Sequence, residues 1–146
     1  MADTRVQLEV EDWVREEWMS KHFGQRFSRE RIKLRSGGVF DADAVSHDGA
    51  IAAVISTSGA KTSGGNYAVG KMNKIRSDMY FLLLANVQRR VLVFTEKDMY
   101  EQWIKEQNGG RVASEIEFAL AEIPDSLNKK LVGARLKASG EHGRSK

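Results

Sequence analysis

Apolar residues near the N-terminus recur at intervals of three and four positions, which is the spacing of one face of an α-helix. They are Val6, Val10, Trp13, Val14 and Trp18. The pattern predicts a first helix over residues 5–23. Gly24 is expected to end it, because glycine readily takes the left-handed conformation of a helix C-terminus.

A second pattern, with apolar residues at alternate positions, begins after this helix. Residues 31–34 alternate basic and apolar side chains, which predicts an edge strand. Residues 39–58 predict a β-hairpin that turns at Asp48-Gly49, a pair that favours a tight two-residue turn with positive φ at both residues.

The two-residue turn fixes which residues of the hairpin face one another. The expected pairs are His47 with Ala50, Val45 with Ala52, Asp43 with Val54, and Asp41 with Ser56. Opposed residues point to the same side of a sheet, so one face is expected to carry Asp41, Asp43, Val54 and Ser56. The other face is expected to carry Phe40, Ala42, Ala53 and Ile55.

The second half of the chain alternates helices and strands. Helices are predicted over residues 67–86, 96–107 and 125–137, and strands over 90–95 and 116–123. The alternation predicts an α/β fold in which helices sandwich a mixed β-sheet. The buried stripe of the 67–86 helix is expected to consist of Val69, Met72, Ile75, Met79, Leu82 and Leu83.

Length and composition favour a single domain. The chain has 146 residues, 41% of them hydrophobic, and we expect one domain over residues 1–138 and a polar, disordered tail at 139–146. The absence of cysteine excludes disulfides and thiolate metal sites. No apolar run approaches the roughly 20 residues of a membrane helix, so we expect a cytoplasmic protein with no membrane partner. A net charge of +3 permits nucleic-acid binding.

Two aspartates on the hairpin are the main chemical candidates. Carboxylates on one strand face are costly unless they are solvated, paired or bound to a cation, so Asp41 and Asp43 predict a metal or phosphate site. The polar side of the 67–86 helix carries Lys71 and Lys74, which a right-handed crossover would bring towards these carboxylates. Solvation, or salt bridges between the lysines and the aspartates, would explain the same residues without a metal.

The segment FDADAV, followed by IAAVIST on the next strand, resembles the core of the PD-(D/E)xK nuclease superfamily, the restriction-endonuclease-like fold. In that family an acid on one strand and an E-x-K on the next surround Mg²⁺. Asp41 matches the acid, whereas Val54 stands in the place of the glutamate and Ser56 in that of the lysine. The order of helix, hairpin, glycine-containing loop, helix, strand and helix extends the resemblance loosely to about Trp103.

The resemblance implies metal-assisted phosphodiester hydrolysis. Mg²⁺ would be held by Asp41 and Asp43, with Glu11 on the first helix as an outer carboxylate. Glu9 is an alternative to Glu11, and an ordinary solvated helix face would explain both. Some relatives carry the catalytic lysine on the helix after the hairpin, which implies that the missing lysine is replaced by Lys71 or Lys74.

Basic residues offer a candidate nucleic-acid interface. The segment before the hairpin contains Arg29, Arg31, Lys33 and Arg35, and the loop after the hairpin contributes Lys61. Such residues could contact phosphates. A charged edge strand that discourages aggregation would explain the first four equally well.

Three functions therefore remain open. The first is a degenerate, non-catalytic PD-(D/E)xK-like domain that binds nucleic acid, a protein partner or a second copy of itself. It is favoured because the loss of E-x-K removes a metal ligand and the main charge stabiliser together. The second is an active, divergent Mg²⁺-dependent nuclease with a migrated lysine, and the third is an unrelated α/β protein-interaction domain.

Overall fold

The computed structural model describes residues 4–61 and 68–144, and it describes side chains for residues 5–61 and 68–134. Within this part of the chain, five strands form one mixed sheet with helices on both faces. The predicted α/β class is therefore confirmed.

One continuous helical stretch opens the described chain. It consists of α1 (Thr4–Trp13), a π-helical segment (Val14–Trp18) and α2 (Met19–Phe23). Gly24 ends it with a φ of 73°, and its N–H donates to the Ser20 carbonyl at 2.9 Å. The predicted helix and its glycine terminus are confirmed, but the π-helical segment was not predicted.

The sheet follows the order of the chain. Its strands are β1 (Phe27–Lys33), β2 (Val39–Ser46), β3 (Ile51–Ser56), β4 (Arg89–Phe94) and β5 (Ile116–Leu120). The first three strands pair antiparallel, and the last three pair parallel. Parallel neighbours need crossover connections. These connections contain α3 (Val69–Leu84) and α4 (Lys97–Asn108).

The two faces of the sheet support separate apolar clusters. The first face, as we call it, packs against the N-terminal helices and α5 (Asp125–Arg144), and the second face packs against α3 and α4. Alternation along β3 divides its side chains between them. Ala53 and Ile55 belong to the first cluster, whereas Ala52 and Val54 belong to the second.

Several element boundaries differ from the sequence prediction. β1 begins before residue 31, β5 ends before residue 123, and α5 continues beyond residue 137. Helical backbone therefore extends into the segment 139–146 as far as Arg144. Residues 145–146 lie outside the described chain, and the disorder of the tail stays a prediction. Val69 is 63% exposed and so does not belong to the buried stripe of α3. None of the described helices combines the length and the apolar character needed to span a membrane.

The hairpin keeps its predicted register but has a different turn. Ala44 pairs with Ala53 and Val45 with Ala52, as predicted. The Gly49 N–H donates to the Ser46 carbonyl at 2.8 Å, and only Gly49 among the turn residues has a positive φ, of 75°. The prediction of a two-residue turn with positive φ at both residues is therefore wrong. A longer loop preserves the register.

A β-bulge on β2 changes the faces of the residues before it. β1 and β2 pair at Ser28–Val45 and again at Glu30–Ala42, which leaves one intervening residue on β1 and two on β2. Before the bulge, Phe40 stacks on Phe81 of α3 with ring centroids 5.4 Å apart, so it points to the second face. Its neighbour Asp41 therefore points to the first face, opposite to Val54. The predicted common face of Asp41, Asp43, Val54 and Ser56 is wrong for this reason.

Gly49→Ala should destabilise the protein by about 1 kcal/mol, because an L-residue is strained at this positive φ. A Cβ would meet no atom within 4 Å at either Gly49 or Gly38, and Gly38 has no positive φ, so Gly38→Ala is a matched control. Urea unfolding of both variants measures the difference. Equal stabilities would contradict the role assigned to Gly49.

Candidate functional site

The bulge brings together two carboxyl groups from different layers of the fold. Glu11 of α1 forms a hydrogen bond with the side chain of Asp43 on β2. Two carboxyl groups can bond in this way only if one of them carries a proton. Of the three predicted metal ligands, the structure therefore unites Glu11 and Asp43.

Asp43 lies where the ladder between β2 and β3 ends. Beyond the Ala44–Ala53 pair, the N–H of Ile55 donates to Asp43 Oδ2 at 2.9 Å. The carboxylate thus supplies the acceptor that a buried backbone N–H requires. The main-chain carbonyl of Asp43 accepts a hydrogen bond from Arg15 Nε at 2.7 Å. Both the side chain and the main chain of Asp43 are consequently engaged within the protein.

Arg15 is the buried cation of this site. Its side chain is only 5% exposed, and it projects from the π-helical segment. Nη1 donates to Asp12 Oδ1 at 2.7 Å, and Nη2 lies 3.4 Å from Glu11 Oε2. Nη2 has no hydrogen-bond partner among the described residues, so its interaction with Glu11 is an ion pair without good hydrogen-bond geometry. We call Glu11, Asp12, Arg15 and Asp43 the acid site.

Burial and the nearby carboxyl raise the pKa of Glu11 to about 7. Desolvation is the largest cause, followed by the negative charge of Asp43 and the hydrogen bond to it. The cations Arg15 and Arg29 act in the opposite direction. Near neutral pH the Glu11 carboxyl is therefore divided between its protonated and ionised forms.

A further carboxyl group, that of Asp78, lies on the helix that covers the other face of the sheet. Asp78 of α3 is buried, and this desolvation raises its pKa, while the ammonium group of Lys74 opposes the rise. Lys74 Nζ donates to Asp78 Oδ2 at 2.9 Å, and the charge of Asp43 contributes a smaller upward shift. The predicted pairing of Lys74 with Asp41 or Asp43 is therefore wrong. Lys71 is exposed on the same helix.

Asp41 belongs to a separate surface ion pair. Arg31 on β1 lies opposite Asp41, and its Nε donates to Asp41 Oδ1 at 2.8 Å. This bond and the guanidinium charge lower the pKa of Asp41. The structure therefore pairs Asp41 with Arg31, and Asp43 lies beside Glu11 instead.

Val54 and Ser56, the two positions that the predicted resemblance aligns with E-x-K, are buried or nearly so. Val54 packs in the cluster of the second face beside Met72 and Ile75, while Ser56 is 9% exposed. The carbonyl of Ser56 accepts a hydrogen bond from the Thr95 N–H at 3.0 Å. Val54 therefore contributes to the apolar core and cannot supply the charge that a catalytic glutamate would provide.

The predicted basic residues occupy several surfaces. Arg29, Arg31 and Lys33 are exposed on β1, and Lys61 is exposed in the loop after β3. Arg35 is also exposed, and its Nη2 donates to the Leu83 carbonyl at 2.7 Å. Only the three residues of β1 form a continuous set.

Sequence reasoning overlooked the central residue, Arg15. A weak signal was present, because Glu11 and Arg15 are spaced i, i+4 on a helix and Val14 belongs to its buried stripe. Such spacing usually indicates a solvated surface pair. Burial of Arg15 depends on the π-helical segment and on the β2 bulge, neither of which has a distinct sequence pattern.

The acid site does not fit Mg²⁺ as it stands. The ion prefers ionised oxygen ligands in near-octahedral geometry. The raised pKa of Glu11 leaves its carboxyl partly protonated near neutral pH, and the Asp43 carbonyl accepts a hydrogen bond from a guanidinium. Within residues 5–61 and 68–134, whose side chains are described, no three His, Cys, Asp or Glu side chains converge in a way that could hold a metal.

Glu11 should make stability depend on pH. Between its ordinary pKa of 4.5 and its folded pKa of about 7, the unfolded chain loses this proton first, so stability falls as pH rises through that window. Glu11→Gln should remove this contribution and gain about 1–3 kcal/mol relative to wild type at pH 8. The same comparison at pH 4 should show a smaller gain.

Glu9→Gln is a suitable control, because Glu9 lies on the same helix with its side chain 48% exposed. Its stability relative to wild type should change little with pH. Urea unfolding between pH 4 and pH 8 measures both variants. A constant difference between Glu11→Gln and wild type would contradict the raised pKa.

Comparisons with known proteins give the acid site no assignment. No family model, no curated protein and no solved structure matches the chain. A function for this chain must therefore be inferred from the chemistry of its residues.

Proposed function

We propose that the chain is a degenerate PD-(D/E)xK-like domain with a restriction-endonuclease-like fold, which binds nucleic acid without cleaving it. The order of the elements supports the proposal, because the first helix, the hairpin, α3, β4 and α4 follow one another as the family resemblance requires. The position of Asp43 supports it as well. It lies on β2, next to the strand that carries the altered E-x-K positions, and it would take the place of Asp41, the acid that the resemblance matched but that pairs with Arg31.

The main support for nucleic-acid binding comes from Arg29, Arg31 and Lys33 on β1, which we call the cationic strip. Phe27 packs in the first-face cluster and Ile32 in the second, so alternation assigns Arg29, Arg31 and Lys33 to the first face. All three are exposed. Exposed cations in a row attract a phosphate backbone, since each contact releases condensed counterions.

The cationic strip adjoins the acid site. The positive charge of Arg29 lowers the pKa of both Glu11 and Asp41, which supports a position of the strip near these carboxyl groups. Arg31 is partly neutralised by its bond to Asp41, so Arg29 and Lys33 supply most of the uncompensated charge. A phosphate backbone on this strip would pass beside the carboxyl groups.

The absence of hydrolysis is proposed from the chemistry of the altered positions. A nuclease of this family needs an acidic ligand and an ammonium group on the strand that β3 represents. Val54 is apolar and buried, and Lys74 is bound to Asp78 with 72% of its side chain exposed. Among the residues whose side chains are described, no salt bridge joins Asp43 to Lys74 or Lys71, the two candidates for a migrated lysine.

The active-nuclease alternative draws its support from the Glu11–Asp43 pair alone. Mg²⁺ can be held by one or two carboxylates together with substrate phosphates. That arrangement would require the Glu11 carboxyl to be ionised and the Arg15 contacts to change. A protein-interaction domain is the remaining alternative, and it would follow if no nucleic acid bound.

The wild-type chain should bind DNA or RNA with an affinity that falls steeply with salt. Arg29→Glu with Lys33→Glu should weaken binding about tenfold or more at ~100 mM salt, and it should reduce the slope of log affinity against log salt by about 2. Fluorescence anisotropy with labelled single- and double-stranded oligonucleotides measures both effects.

A matched control changes the same charge elsewhere. Lys21 on α2 and Lys129 on α5 are both exposed, so Lys21→Glu with Lys129→Glu should leave most of the affinity. Equal losses in the two double variants would remove the specific role of β1. No binding by the wild type at low salt would favour the protein-interaction alternative.

Nuclease assays should show no metal-dependent cleavage above background. The wild type and Asp43→Asn are compared with Mg²⁺ or Mn²⁺ on linear and single-stranded substrates, because Asp43→Asn removes the negative charge that any metal would need. Cleavage by the wild type that disappears in Asp43→Asn would instead establish the active alternative.

A further inference from the structure

We propose that the guanidinium of Arg15 is the resident cation of the acid site and stands in for the divalent metal that the family holds between its carboxylates. The inference deepens the proposed function and rests on it in one respect, namely that the fold is nuclease-like. It concerns metal binding, so it can fail while nucleic-acid binding survives.

The oxygens around Arg15 are of the kind that a divalent cation would take. They are Asp12 Oδ1 at 2.7 Å, the Asp43 carbonyl at 2.7 Å and Glu11 Oε2 at 3.4 Å. Carboxylate and carbonyl oxygens are the preferred ligands of Mg²⁺ and Ca²⁺. Here each of the three faces a nitrogen of one guanidinium.

Burial makes Arg15 a fixed part of the site. An arginine side chain that is 5% exposed is costly unless carboxylates compensate its charge. Glu11 and Asp12 supply that compensation from the preceding helical turn. A metal ion bound to the same oxygens would meet the positive charge of Arg15 at close range, and the buried guanidinium could not move away without exposing the helix–sheet contact.

The rigid fork of arginine suits this role better than lysine would. Its nitrogens point in fixed directions and can contact several oxygens at once, whereas an ammonium is a compact point charge. Nε donates to the Asp43 carbonyl on β2, and Nη1 donates to Asp12 Oδ1 on α1. One side chain therefore joins the helix to the sheet. The cation therefore holds the carboxyl groups in place as well as compensating them.

We expect that removal of Arg15 allows the acid site to bind a divalent metal ion. Arg15→Met keeps much of the side-chain volume and leaves Glu11, Asp12 and the Asp43 carbonyl without their cation. We expect its melting temperature to lie below that of wild type and to rise by about 5 °C or more in 5 mM Mn²⁺. The wild type should show no comparable rise.

Two controls separate this effect from general binding of Mn²⁺ to acidic residues. Arg15→Lys retains a cation and should gain little stability from Mn²⁺. Arg31→Met breaks the exposed pair with Asp41 and should likewise gain little. Adding Asp43→Asn to Arg15→Met should reduce the metal response, because it removes a negative charge from the site.

Circular dichroism shows whether Arg15→Met is folded before metal is added. If it is unfolded, Mn²⁺ should restore the helical spectrum, because a metal that binds only the native state drives folding. A folded Arg15→Met with no metal response, or an unfolded one that Mn²⁺ does not restore, would overturn the proposal. Saturable Mn²⁺ binding by the wild type that Asp43→Asn abolishes would also overturn it.

Discussion

The hydrogen bond from Arg15 Nε to the Asp43 carbonyl is the contact on which the acid site depends. It joins the N-terminal helix to the sheet at the bulge, where β2 has one residue more than β1. The bulge frees the Asp43 carbonyl from regular strand pairing and lets the Asp43 side chain accept the Ile55 N–H. If the bulge were absent, Asp43 would alternate with its neighbours along a regular strand, and Glu11 would lack its partner.

Because Arg15 is buried, its contacts stabilise the fold, but loss of a charged partner would cost free energy of unfolding. Loss of one partner from a buried ion pair commonly costs about 3–5 kcal/mol, because the other charge remains without compensation. Arg15 is the buried cation here, so its loss would leave the carboxyl groups around it without compensation, whereas Arg31 and Asp41 are exposed and their pair is screened by solvent. The sheet would therefore tolerate changes at Asp41 more readily than changes at Arg15.

The sequence predicted the fold class, the N-terminal helix, the buried strand β4 and the hairpin register, because each rests on a local signal: hydrophobic spacing, a glycine or a turn sequence. It could not predict the bulge, because nothing local distinguishes Asp43 as the residue at which pairing shifts. One shift then reversed the face of Asp41. The exposure of Val69 depends likewise on where α3 meets the sheet, and the burial of Arg15 depends on tertiary contacts that override an ordinary helix pair.

The surroundings of the acid site decide between binding and cleavage. A phosphate on the β1 strip would approach Arg29, which already acts on Glu11. In a metal-dependent nuclease the adjoining carboxylates must be ionised and free to hold a cation that polarises this phosphate. Here Asp43 bonds a backbone N–H and a second carboxyl group, and the nearest cation is covalently part of the chain. A guanidinium has no exchangeable water to activate, so under the proposed function a phosphate on this strip would be bound without a metal-activated nucleophile beside it.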